Sequence, residues 1–154
     1  MIFEIKSNNS DQKAFQGIYN IERGTKSGIH QAFINIKKDL VRTSKILIRD
    51  EVKNGIVYKY LINGKRVSHV SSSGGQSPAF LTGALFNSIG ATVSGGSSME
   101  FGAGDGNEDM TYARYLEDGT KKMAKRPYLI RSINLNERNN YVSLQDKIEK
   151  ELSK

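Results

Sequence analysis

The chain has 154 residues and a mass of 17.1 kDa, the size of one ordinary domain. Its 23 Lys and Arg outnumber 16 Asp and Glu, giving a formal charge of +7 that allows an acidic partner. Cysteine is absent, which excludes disulfides, thiolate zinc sites and a cysteine nucleophile.

The charge is unevenly placed. Residues 1–50 hold 9 basic and 5 acidic side chains, residues 51–110 hold 4 and 5, and residues 111–154 hold 10 and 6. No Lys or Arg occurs over the 47 residues from Val67 to Ala113, a stretch that carries Glu100, Asp105, Glu108 and Asp109. Of the 15 glycines, 12 follow residue 50. A helical first third and a turn-rich middle follow from this.

Ile2, Phe3 and Ile5 read as a short strand. The opening residues lack the apolar run of a signal peptide, and no stretch approaches the ~20 apolar residues of a membrane span. The expectation is a soluble chain made in the cytoplasm, with no membrane partner.

From about residue 12 to residue 50 the pattern is helical. Ile21, Ile29, Phe33, Ile36, Leu40, Ser44 and Leu47 form a stripe, with Lys26, Lys37, Lys38, Arg42, Lys45 and Arg49 mainly between them. Gly24 and Gly28 weaken its start, so the helix is predicted over 27–50, with a looser piece before it. Val57-Tyr58-Lys59-Tyr60-Leu61-Ile62 and Lys65-Arg66-Val67-Ser68-His69-Val70 flank Asn63-Gly64, the signature of a hairpin with a type I′ turn. The Ser/Gly-rich stretch 71–79 reads as a flexible loop, either a linker or a segment that orders on a partner. A short helix is predicted from Thr82, with Thr82 as its N-cap. Gly90–Ser94 and Ser98–Gly102 read as two strands, and Thr111–Glu117 as a helical turn closed by Gly119. Tyr112 and Tyr115 share one face of that turn and are expected to pack on the sheet. Pro127 opens a last helix, with a possible break at 136–140 where asparagines cluster.

Catalytic signatures are weak. His30 and His69 are the two histidines, and no Gly-x-Ser-x-Gly elbow accompanies them. Asp105, Asn107 and Asp109 match the opening of a calcium loop, but Met110 and Leu116 stand where glycine and a bidentate glutamate are required. Gly64-Lys65 lacks the rest of a phosphate loop. The expectation is no enzyme, no metal and no cofactor. The run Lys121, Lys122, Lys125, Arg126 and Arg131 lies in a segment without an acid from Gly119 to Asn136. It suits phosphates, read without sequence preference, or the acids of another subunit. With the cationic helix, it also supports an alternative reading, a small basic nucleic-acid-binding module.

Three segments carry a resemblance. Ser77-Pro78-Ala79-Phe80-Leu81-Thr82-Gly83-Ala84-Leu85-Phe86-Asn87-Ser88-Ile89 is similar to a Pro-x-x-x-Thr-Gly-x-Leu-x-x-Ser-Ile segment. Tyr112-Ala113-Arg114-Tyr115-Leu116-Glu117-Asp118-Gly119-Thr120 is similar to Tyr-Ala-x-Tyr-x-Glu-x-Gly-Thr, and Lys122-Met123-Ala124-Lys125-Arg126-Pro127-Tyr128-Leu129 to Lys-Met-x-x-Arg-Pro-Phe-Leu. In this order, after a long N-terminal helix, they resemble the tail-component family of HK-type and lambdoid phages. The departures are Ala84 and Asn87, where basic residues are usual, and a longer, more acidic 98–110 stretch.

The resemblance implies a structural virion protein of the neck, a tail-completion or head–tail joining subunit. It implies a homo-oligomeric ring, a hexamer, between head-completion or connector proteins and the tail tube, with DNA passing through unread. The shared residues Thr82, Gly83, Leu85, Ser88, Ile89, Tyr112, Tyr115, Glu117, Gly119, Thr120, Pro127 and Leu129 are expected to be structural. The acidic turn at 100–110 and the basic 121–131 stretch are candidates to meet across subunits or on DNA. The expected fold is α+β: one domain over 1–154, with long N- and C-terminal helices packed on a small, mainly antiparallel sheet.

Overall fold

The computed structural model describes residues 9–96, 98–104 and 111–153. The predicted strand at 2–5 lies outside them. Helix α1 (Asn9–Asp50) is continuous over 42 residues, roughly 63 Å at 1.5 Å per residue. The piece before residue 27 is part of the same helix. Helix α4 (Leu129–Leu152) runs antiparallel beside it. Its end lies against the first half of α1, and its start against the second half. Near the start, Asn136 Nδ2 donates to Thr43 Oγ1 (2.9 Å) and Ser44 Oγ to the Tyr128 carbonyl (3.4 Å).

Gly28 marks a close approach of the two helices. A Cβ there would lie 2.7 Å from Ile148 Cα and 2.9 Å from the Lys147 carbonyl oxygen, so no larger residue fits without parting the helices. The helix-propensity penalty of glycine, about 1 kcal/mol, is offset by this contact. Beyond it, Ala32, Ile36, Leu40, Ser44 and Ile48 are buried at four-residue spacing, with Leu47 beside them. Of the predicted stripe, Ile29 and Phe33 are half-buried, while Ile21 is 60% exposed. The reason is length: α4 ends beside Gly24, and α1 continues past it.

The last helix starts at Leu129, two residues after Pro127, and runs through 136–140 without a break. Asn136 is buried, and its amide also donates to the Ser132 carbonyl (2.8 Å). Tertiary hydrogen bonds thus keep a poor helix former in place.

Strands β1 (Val57–Ile62) and β2 (Lys65–Val70) form the predicted hairpin, with Tyr58 opposite His69 and Tyr60 opposite Val67. Asn63 (φ 49°) and Gly64 (φ 77°) supply the two positive φ angles of a type I′ turn. Helix α2 (Ala84–Ser88) leads directly into β3 (Ile89–Ser94), which pairs antiparallel with β4 (Ser98–Ala103). Gly83, not Thr82, occupies the α2 cap position, with Thr82 Oγ1 accepting the Ala84 N–H at 3.4 Å. The expected single sheet is two separate two-stranded sheets. The β3–β4 hairpin lies on α1, whereas neither β1 nor β2 packs extensively on any helix.

Helix α3 (Thr111–Asp118) completes an α+β fold. The core joins Ile48, Leu85, Ile89, Ala113 and Tyr128, flanked by Val41, Phe86, Phe101, Leu116 and Leu129. The expectation that Tyr112 and Tyr115 pack on the sheet is incorrect: they are 41% and 49% exposed. Ala113 and Leu116 face the core instead. Tyr128 is fully buried, and burial pushes its phenol pKa up, with the Glu117 carboxylate and Tyr112 adding to the rise.

Candidate assembly surface

Glu117, Gly119 and Thr120 build one joint between α3 and α4. Gly119 (φ 79°) ends α3 in the left-handed region, where a Cβ would meet Lys125 N at 2.9 Å and the Met123 carbonyl oxygen at 3.0 Å. Thr120 then closes a tight turn. Its Oγ1 accepts the Lys122 and Met123 N–H groups (3.3 and 3.1 Å), and its own N–H donates to the Met123 carbonyl (2.8 Å). The Arg126 N–H returns to the Leu116 carbonyl (2.6 Å).

Glu117 is the keystone. Its carboxylate accepts the N–H groups of Tyr128 (2.9 Å), Leu129 (3.1 Å) and Ile130 (2.9 Å). It caps α4 from another helix, satisfying donors that a helix start leaves open and placing negative charge at the positive end of the dipole. Ser88 Oγ donates to the Leu85 carbonyl (2.9 Å) at the α2–β3 junction, beside buried Ile89.

A second joint was not legible in the sequence. Glu51, just past α1, accepts from Arg131 Nη2 (2.7 Å), Lys53 Nζ (2.7 Å) and the Ser77 N–H (2.8 Å). Lys53 Nζ also donates to the Leu47 carbonyl (2.9 Å), serving the open end of α1. Arg131 Nη1 donates to buried Ser77 Oγ (2.9 Å). Burial raises the Glu51 pKa, but the hydrogen bonds from Arg131, Lys53 and Ser77 outweigh it and bring the carboxyl to about 2. Gln76 fixes the neighbouring turn: Nε2 donates to the Val52 carbonyl (2.8 Å), and Oε1 accepts the Asn54 and Ser73 N–H groups (3.2 and 3.1 Å). With the Gly75 N–H bonded to the Lys125 carbonyl (2.9 Å), the Ser/Gly-rich stretch 71–79 is tied to α1 and to the approach to α4. The stretch is a loop, as its composition suggested, and its long-range partners are what composition does not show.

These joints sort the five candidate cations. Lys121, Lys122 and Lys125 are exposed. Arg126 is half-buried, with Nη1 3.2 Å from Met123 Sδ, and Arg131 is held by Glu51 and Ser77. Glu100 lies exposed on β4 opposite Thr92, with no ion pair among the described residues. Asp105, Glu108 and Asp109, and with them the calcium-loop test, lie outside the described residues.

Two clefts flank α2. One, of about 320 Å³, is lined by Phe80, Leu81, Phe86, Tyr112 and Arg126. The other, of about 820 Å³, lies over the β3–β4 hairpin and includes Glu100. Among the described residues, no group of three or more His, Asp or Glu side chains is placed to hold a metal, and no helix is long and apolar enough to cross a membrane. No protein-family model matches the chain, and neither a curated protein nor a solved structure is significantly similar to it.

Proposed function

We propose that the chain is a structural subunit of a phage neck, a tail-completion or head–tail connector protein. In this reading it assembles into a ring that joins the capsid connector to the tail tube and lets DNA pass. The observation that carries the proposal is exposed apolar surface among the described residues. Ile18, Tyr19 and Ile21 stand exposed on α1, Leu135 and Tyr141 on α4, and Leu61 and Ile62 on β1. Such area is unfavourable in water unless another molecule covers it.

Charge supports the same reading. The exposed lysines Lys121, Lys122 and Lys125 and the exposed Glu100, which lies in a stretch of sequence without Lys or Arg, are groups of opposite sign on one chain. The test is negative-stain imaging of the purified protein, alone and with phage particles lacking it. Rings are expected, along with restored joining of heads to tails. Reversing Lys121, Lys122 and Lys125 to Glu is expected to block assembly or joining. Unchanged assembly would sink the role assigned to these lysines.

The exposed lysine cluster also favours a second reading, non-specific nucleic-acid binding by the monomer. A salt-dependent shift of DNA mobility by monomeric protein, without rings, would decide for it.

A further inference from the structure

We propose that the β1–β2 hairpin is an assembly arm whose tip seats on the outer face of the β3–β4 hairpin of the next copy. This deepens the ring reading and rests on it. Side chains on both faces of the arm are exposed: Val57 (54%) and Leu61 (68%) on one, Tyr58 (51%) and Ile62 (49%) on the other. A two-stranded hairpin alone is marginal in water, and an arm with apolar side chains exposed on both faces gains from a partner. Hydrogen bonds between Gly55 N–H and the Ser71 carbonyl (2.8 Å), and between Ser71 N–H and the Ile56 carbonyl (2.9 Å), hold its base.

Charge selects the receiver. The arm carries Lys59, Lys65 and Arg66, and no acid occurs from Val52 to Met99. The apolar cleft beside Phe80 contains Arg126 and would repel a cationic tip. The β3–β4 cleft contains Glu100, lies in the stretch without Lys or Arg, and is the roomier at about 820 Å³. Its floor is flat. Gly90 faces Gly102 across the strands, and a Cβ on either would meet nothing within 4 Å. A neighbouring chain can therefore approach that backbone closely. Both hairpins are two-stranded and keep open edges that can accept further strand pairing. Arm and receiver are different surfaces, so the contact can repeat head-to-tail, and such contacts form a ring where the rotation between copies closes.

The absence of cysteine makes the test clean. Full-length Asn63→Cys and Thr92→Cys proteins are mixed under oxidising conditions in which the wild type assembles. A disulfide-linked dimer is expected in the mixture and in neither protein alone. Leu81→Cys in the other cleft is expected not to link to Asn63→Cys. In parallel, Lys65→Glu with Arg66→Glu is expected to raise the concentration needed for assembly about tenfold or more, and adding Glu100→Lys to restore it. Assembly with no Asn63–Thr92 link and no rescue overturns the arm but leaves the ring reading standing. A link to Leu81→Cys instead overturns the receiver. A link and rescue in particles that show no ring keep the arm and overturn the ring. A wild type that stays monomeric, even with phage particles lacking it, overturns both.

Discussion

Replacing Glu117 with alanine tests whether the motif around it is a structural joint. The substitution leaves three N–H groups, those of Tyr128, Leu129 and Ile130, without their acceptor. Hydrogen bonds to a charged group contribute about 1.5–3 kcal/mol each in favourable cases, and loss of a helix cap costs about 0.5–2 kcal/mol. Water can replace part of the interaction, since Ile130 is exposed while Tyr128 is not. The net cost is therefore about 2–4 kcal/mol. For a domain of this size that lowers Tm by about 5–12 °C. Glu117→Gln keeps one acceptor and loses the charge, so about half the effect is expected. Thermal unfolding followed by circular dichroism measures the magnitude. Amide hydrogen exchange locates it, with protection falling first at Tyr128, Leu129 and Ile130. A Tm unchanged within error, or exchange lost evenly along α4, would refute the reasoning.

Glu51 makes stability depend on pH. Its folded pKa of about 2 lies below the ordinary 4.5, so its contribution is full above about 4.5 and is lost as pH falls towards 2. Denaturant melts of wild type and Glu51→Gln should differ near neutral pH by about 1–3 kcal/mol and converge in acid; a constant gap would contradict this. Gly28→Ala is expected to destabilise by about 1–3 kcal/mol, because its Cβ would strike the α4 backbone. Gly17→Ala, which meets nothing within 4 Å, is expected to stabilise α1 by up to about 1 kcal/mol. Equal melting shifts for the two glycine variants would show that the helices do not cross as closely as described.

What the sequence revealed was local. Asn63-Gly64 demands positive φ at two successive residues, so the first hairpin and its turn could be read directly. The buried row through Ile36, Leu40 and Ser44 showed in the periodicity of α1. What stayed hidden depends on distant partners. Glu51 and Arg131 are 80 positions apart, and nothing in the spacing of either announces the pair. Gly28 looked like a weakness because the α4 backbone against it comes from the far end of the chain. Tyr112 and Tyr115 misled because their three-residue spacing puts them on one face of α3, whereas Ala113 and Leu116 make the face that meets the core. The Glu117 motif could be recognised as a unit, but its role as a cap appeared only once α3 and α4 were placed together.

The most direct measurement is the mass of the purified full-length protein by native mass spectrometry, with images of the same sample. The account predicts a closed ring with a central opening and a mass that is a fixed multiple of 17.1 kDa. A species of 17.1 kDa at every concentration, with no ring even when phage particles lacking the protein are added, would contradict it.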